Sequence, residues 1–83
     1  MMEYLSETTA FMTSNNYKDR FIAEYYQLKI RRDKLHDMII KYASGNLDFI
    51  PDCPLEILEK QEVVMNSYLE ILETRALIEK VVI

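Results

Sequence analysis

A regular spacing of large side chains between positions 21 and 42 constrains the fold of this chain more than any other feature. The residues recur at alternating intervals of four and three: Phe21, Tyr25, Leu28, Arg32, Leu35, Ile39 and Tyr42. Such intervals keep one side of an α-helix turned toward a partner helix, as in a coiled coil. The pattern therefore predicts a long helix with one packed face, although Arg32 places a charge within that face.

Capping residues mark the ends of this first helix. The Ser-Asn-Asn run at positions 14–16 offers side-chain oxygens to the free N–H groups of a first helical turn. Gly45, in the run Ser44-Gly45-Asn46, is expected to end the helix, because glycine can take the left-handed conformation of a helix cap without a steric penalty. We therefore predict helix 1 over residues 17–43, preceded over residues 1–14 by an N-terminal arm or short helix.

A second helix is predicted over residues 54–80. Pro54 suits the first helical turn, where its missing N–H leaves no bond unmade. The residues expected to face helix 1 are Leu55, Leu58, Glu62, Met65, Leu69, Leu72 and Ala76. A second stripe predicts contact with another subunit and consists of Gln61, Met65, Tyr68, Leu72 and Arg75. The connector at residues 46–53 is expected to pack across the end of the hairpin.

Length and composition favour one small helical domain that associates with copies of itself. The chain has 83 residues with only 1 Gly and 2 Pro, which leaves little material for loops or sheet turns. A chain this short buries a small share of its surface, so a monomer would be marginally stable. We predict an all-α fold over residues 1–83, an antiparallel two-helix hairpin that assembles into a helical oligomer.

Charge and cysteine content exclude several classes of partner and location. The formal net charge of −4 argues against DNA or RNA polymers, whose binding requires many cations. No apolar run reaches the roughly 20 residues that cross a membrane. Cys53 is the single cysteine, and residues 1–16 lack a signal-peptide pattern. A cytoplasmic location is therefore expected.

The sequence contains no recognisable catalytic or metal-binding constellation. The sole His36 lies beside Asp37, with no Ser or Cys at helical spacing to serve as a nucleophile. Cys53 and His36 are 17 positions apart, which fits no common zinc-ligand spacing. A single glycine cannot build a glycine-rich phosphate loop. We therefore expect no enzyme activity, no metal and no cofactor.

Helix 1 concentrates cationic and aromatic residues in an otherwise acidic chain. Tyr25, Lys29, Arg32 and His36 share one helical face. This face is either solvated and paired with carboxylates of helix 2, or a pocket for phosphates and bases. Arg75 is open to two similar interpretations, as a cation near a helix end or as an anion-binding group on an otherwise buried stripe.

The order of these residues resembles a family of small phage proteins. The similarity covers about residues 17–79 and rests on Tyr17-Lys-Asp-Arg20-Phe-Ile-Ala-Glu24, Leu28, Arg31, Lys34-Leu35, Met38-Ile39, Leu58-Glu-Lys-Gln61, Met65, Tyr68, Leu72 and Arg75. The family includes the anti-CBASS sponges, which capture the cyclic oligonucleotides that bacterial cGAS-like enzymes produce during infection.

The resemblance implies a hexamer of helical hairpins that sequesters its ligands without cleaving them. It implies cyclic dinucleotides bound between subunits and cyclic trinucleotides bound in separate pockets. By position, Lys34 matches a phosphate-contacting lysine, Arg75 matches an arginine of the trinucleotide pocket, and His36 stands where a small polar residue is expected. Tyr17 is the candidate for stacking on a base, and Arg20 completes the set of ligand-binding residues.

Two functions are compatible with these observations. In the first, the protein is a sponge for cyclic di- and trinucleotides. In the second, the same helical faces bind a host defence protein or another phage protein, and the cations form salt bridges. A titration with cyclic nucleotides discriminates between the two.

Overall fold

Two long helices pack as an antiparallel pair and carry a short N-terminal arm. The computed structural model describes residues 2–83. A 3-10 turn spans Leu5–Thr8, α1 spans Thr9–Met12, α2 spans Tyr17–Ala43 and α3 spans Leu55–Glu79. No β-strand occurs within the described residues. The prediction of an all-α chain is therefore confirmed.

Local interactions fix both ends of α2. The Asn16 side chain accepts a hydrogen bond from the backbone N–H of Lys18 at 2.9 Å, which satisfies a free donor of the first turn. Ser14 Oγ donates to the carboxylate of Asp19 at 2.7 Å, where a negative charge also suits the helix dipole. At the other end, Gly45 has a φ of 75°, a conformation that glycine adopts without strain.

The observed α3 is shorter by one residue at each end than the range 54–80 predicted from sequence. Pro54 lies just before the helix with an extended ψ of 144°, so the regular turns begin at Leu55. At the other end Lys80 has a φ of 59°, in the left-handed region, and this reverses the chain. The backbone N–H of Val81 then donates to the carbonyl oxygen of Ala76 at 2.9 Å, as in a helix-terminating turn.

The core lies at the open end of the hairpin, where α2 begins and α3 finishes. Tyr25 and Tyr26 contact edge to face, with ring centroids 5.1 Å apart. The buried cluster consists of Phe21, Tyr25, Tyr26, Leu69, Leu72, Ala76 and Val81. Val81 belongs to this cluster, so the C-terminal tail is partly covered by its own chain.

The loop half of the hairpin is thinly packed. Within the described chain, no residue from position 31 to position 68 is buried. Tyr42, expected on the packed face of helix 1, is exposed because it lies in the last turn of α2, away from the buried core at the open end of the hairpin. Phe49 and Ile50 were expected to cover the end of the hairpin and are also exposed.

The N-terminal arm is attached to α2 by hydrogen bonds around one buried threonine. Thr8 is almost completely buried, and its hydroxyl donates to the carbonyl oxygen of Leu5 at 2.7 Å. The same hydroxyl accepts a hydrogen bond from Gln27 Nε2 at 3.0 Å. The arm therefore covers one side of α2 near the core.

Candidate ligand-binding site

The five candidate ligand-binding residues lie in two separate parts of the hairpin. Tyr17 and Arg20 lie in the first turns of α2, and antiparallel packing places Arg75 of α3 near them. Lys34 and His36 lie in the second half of α2. At a rise of about 1.5 Å per residue, Tyr17 and Lys34 are about 25 Å apart along the helix. One chain therefore cannot bring both residues to the same small ligand.

Arg75 is held at the surface by a carboxylate and an aromatic ring. Its Nε donates to Glu79 Oε2 at 2.7 Å, and its Nη2 donates to Oε1 at 3.3 Å. The guanidinium carbon lies 4.9 Å from the centroid of the Phe21 ring, a cation–π contact. The hydrogen bond with Glu79 raises the pKa of Arg75 and lowers the pKa of the Glu79 carboxyl.

The expectation that Arg75 lies on an otherwise buried stripe was wrong. Its side chain is 46% exposed, because the neighbouring Ala76 takes the inward position on α3. A phosphate approaching from solvent could therefore reach the guanidinium, but it would compete with Glu79 for the same N–H donors.

Tyr17 and Arg20 differ in whether their side chains already form a hydrogen bond within the chain. Tyr17 is 48% exposed, so a ligand in solvent can reach its side chain. Arg20 is also exposed, but its Nη1 donates to the backbone carbonyl oxygen of Ser14 at 2.8 Å. Arg20 therefore stabilises the segment that precedes α2.

Lys34 and His36 project from opposite sides of α2, because two residues rotate a helix by about 200°. His36 Nδ1 lies 2.8 Å from Glu62 Oε1 and links α2 to α3. Lys34 is exposed, and it borders two grooves on the side of α2 away from this contact. The structure therefore does not bring these two candidates together.

Much of the cationic and aromatic face of α2 forms hydrogen bonds and ion pairs within the hairpin. Tyr25 is 6% exposed, and its hydroxyl donates to Glu73 of α3 at 2.8 Å. Arg32 pairs with the adjacent Asp33 at 3.0 Å, while its buried Nε has no hydrogen-bond partner within the described residues. These contacts, with the link from His36 to Glu62, favour the interpretation that much of this face pairs with carboxylates.

A groove beside Lys34 contains residues that the sequence analysis did not select. It lies between the second half of α2 and the connector, and it is lined by Lys34, Asp37, Met38, Lys41, Leu47 and Phe49. A spacing of seven residues between Lys34 and Lys41 was visible in the sequence. The position of Phe49 was not, because it depends on the conformation of the connector.

The outward face of α3 carries a second feature that the sequence analysis missed. Exposed aliphatic residues recur there every seven positions: Ile57, Val64, Ile71 and Ile78. The stripe predicted for a subunit contact consisted of other residues, and that contact stays a prediction. Its members Met65 and Leu72 belong to the side of α3 that packs on α2, where Leu72 is fully buried.

Two further properties concern the described residues as a whole. No helix in residues 2–83 is both long enough and apolar enough to cross a membrane. The same part of the chain holds no group of three or more His, Cys, Asp or Glu side chains arranged to bind a metal ion.

Comparisons with known proteins place the chain in a family. A family model described as Sequestin matches residues 15–78, which is most of the chain. Neither the curated proteins nor the solved structures gave a match. The family match confirms the resemblance to a family of small phage sequestering proteins that was inferred from the residue order. The chain belongs to the Sequestin family.

Proposed function

We propose that this protein captures cyclic di- and trinucleotide second messengers in the cytosol of a host bacterium and thereby blocks CBASS-type antiviral signalling. The observation that carries this proposal is the Sequestin match over residues 15–78, the segment that contains all five candidate binding residues. The proposed action is sequestration, so the ligand is held and released intact.

The proposed active form is a homo-oligomer, with a hexamer as the expected assembly. The separation of about 25 Å between Tyr17 and Lys34 along one helix supports a dinucleotide site made by two copies. One copy would supply the aromatic ring and another the ammonium group. The exposed aliphatic residues on the outward face of α3 supply apolar surface for such an association.

Isothermal titration against a panel of cyclic di- and trinucleotides tests the proposal. We expect binding of at least one member of each class. Mass spectrometry of the ligand released by heating should recover it uncleaved. Absence of binding to every cyclic nucleotide would reject the sponge function, and recovery of linear products would reject sequestration.

Lys34 is proposed to contact a phosphate of the dinucleotide. A charge-assisted hydrogen bond contributes roughly 1.5–3 kcal/mol, so Lys34→Ala should weaken dinucleotide binding about 10- to 100-fold. Light scattering should show an unchanged assembly, because Lys34 is exposed and makes no ion pair within the described chain. A change of oligomeric state would instead make Lys34 a structural residue.

Arg75 is proposed to serve the trinucleotide class alone. Arg75→Ala should abolish trinucleotide binding and spare dinucleotide binding, and Arg75→Lys should rescue little because lysine lacks a planar pair of donors. Glu79→Gln is the informative companion, since it removes the charge that competes for the guanidinium. It should strengthen trinucleotide binding. Equal losses of both ligand classes in Arg75→Ala would show that they share one site.

The exposed apolar face of α3 also supports a second candidate function, the binding of a host or phage protein. In that case a protein partner should be retained from host lysate in the presence of excess cyclic nucleotide. Loss of the partner on substitution of Ile71, with unaltered nucleotide binding, would favour this alternative.

A further inference from the structure

The groove beside Lys34 combines a partly exposed aromatic ring with two ammonium groups. Phe49 on the connector is 53% exposed, although a phenylalanine ring gains free energy when it is covered. Lys34 and Lys41, on the α2 side of the groove, are seven residues and about 10 Å apart along the helix. The groove has a volume of about 320 Å³, which lies at the lower end of the usual size range of ligand sites.

The charges in this groove distinguish it from the neighbouring one. Two ammonium groups face one carboxylate, that of Asp37. The groove on the other side of Lys34, toward the N-terminal arm, holds two ammonium groups against three carboxylates, those of Glu3, Asp33 and Asp37. A phosphate is therefore expected to bind in the groove that contains Phe49 and Lys41 rather than in the neighbouring one. Within the described chain none of Lys34, Asp37 and Lys41 forms an ion pair with another residue.

We propose that this groove binds one guanine nucleotide unit of a cyclic dinucleotide, with the base stacked on Phe49 and the phosphates on Lys34 and Lys41. This inference rests on the proposed sponge function and specifies its base preference. An aromatic ring stacks on any base, so Phe49 supplies affinity without selection. The lysines likewise contact phosphates, which all nucleotides share.

Asp37 supplies the selection among bases. An ionised carboxylate accepts hydrogen bonds and donates none. Guanine presents two adjacent donors on its pairing edge, the N1–H and the N2 amino group, which match the two carboxylate oxygens. Adenine presents one amino group beside an acceptor nitrogen, so one carboxylate oxygen would face a lone pair. Asp37 is exposed in the free protein, and a base that displaces water from its carboxylate must replace the lost hydrogen bonds. Guanine replaces both and adenine only one, so the guanine-containing ligand is preferred.

Titrations of the wild-type protein with cyclic di-GMP and cyclic di-AMP test this inference. We expect tighter binding of cyclic di-GMP. Phe49→Leu keeps an apolar side chain but removes the stacking surface, so it should weaken both ligands roughly tenfold, since stacking contributes about 1–3 kcal/mol per base. Asp37→Asn should weaken cyclic di-GMP roughly tenfold, because the preference comes from the carboxylate. It should not weaken cyclic di-AMP, since an amide can both accept from and donate to the adenine edge.

Matched controls on the connector separate this site from general effects of the loop. Ile50→Ala and Asp48→Asn alter an exposed apolar residue and an exposed carboxylate outside the groove, and they should leave both affinities unchanged. If cyclic dinucleotides bind but Phe49→Leu or Asp37→Asn has no effect, this inference fails and the sponge function stands. If no cyclic dinucleotide binds to the wild-type protein, both fail.

Discussion

Tyr25 is the residue whose ionisation is most altered by the fold. Burial disfavours the charged phenolate, and the hydrogen bond to Glu73 with the charge of that carboxylate adds to the effect, so the pKa of Tyr25 rises from 10.0 to about 12. The folded protein thus prefers the neutral phenol more strongly than the unfolded chain does. The stabilisation is fully present below pH 10 and is lost as the pH rises toward 12.

The free energy of unfolding should therefore fall between about pH 10 and pH 12 in the wild-type protein. Tyr25→Phe should cost about 1 kcal/mol at neutral pH, because a hydrogen bond is lost, and it should flatten the alkaline decline. Urea titrations followed by circular dichroism across this pH range measure both effects. Tyr42→Phe is the control, since Tyr42 is exposed and its hydroxyl makes no hydrogen bond within the described chain. An equally steep decline in Tyr25→Phe would assign the titration to another group.

At the scale of elements, the N-terminal arm depends on a few polar contacts. The hydroxyl of Thr8 is bonded on both sides, to the carbonyl oxygen of Leu5 and to Gln27 Nε2. Gln27 Nε2 also lies 3.3 Å from the sulfur of Met12, so a single side chain of α2 meets two parts of the arm. These bonds join the arm to α2, and Met2 of the arm also packs against the buried cluster.

Thr8→Val should release the arm without unfolding the hairpin. Valine fills the same space but cannot bond to Gln27, and the loss of a buried hydrogen-bond partner costs about 1–3 kcal/mol. Hydrogen exchange should accelerate at residues 5–12 and stay unchanged in α2 and α3. Thr13→Val is the matched control, because its exposed hydroxyl bonds only to carbonyls of its own turn. Faster exchange throughout the chain would show that the arm is part of the core.

The elements also show how far sequence reasoning reaches. The alternating spacing predicted the inward face of α2, where Phe21 and Tyr25 are buried, because such a pattern has only one way to cover itself. On α3 the same reasoning predicted the face that packs on α2, where Leu72 is buried, but it missed the exposed heptad stripe on the outward face, since apolar residues occur on both faces of that helix. The groove beside Lys34 could not be predicted, because the position of Phe49 in it depends on the conformation of the connector.

The whole molecule exposes more surface than a compact monomer of its mass. Its extents are 43 × 24 × 19 Å, and its accessible area is 6045 Å². A folded monomer of 9.9 kDa is expected to expose about 5200 Å². The buried residues lie toward the open end, and the stretch from position 31 to position 68 contains none within the described chain. Association of copies would cover this thinly packed half.

The outward stripe of α3 is where we expect copies to meet. Its four aliphatic residues are one heptad apart, so they form a continuous apolar seam of about 30 Å along the helix. A stable contact needs about 800 Å² from each partner, which a seam of this length and its flanking residues can supply. The carboxylate introduced by Ile71→Glu, at the middle of the seam, would have to lose its hydration on association, at a high cost in free energy.

Light scattering should therefore give a mass several times 9.9 kDa for the wild-type protein and a smaller mass for Ile71→Glu. The melting temperature of the wild-type protein should rise with protein concentration, because association stabilises the folded state by mass action. That dependence should weaken in the variant. Val63→Glu places the same charge at an exposed position of α3 outside the seam and should leave the mass unchanged. A wild-type monomer at micromolar concentration, or disruption by Val63→Glu alone, would mean that copies do not meet along this seam.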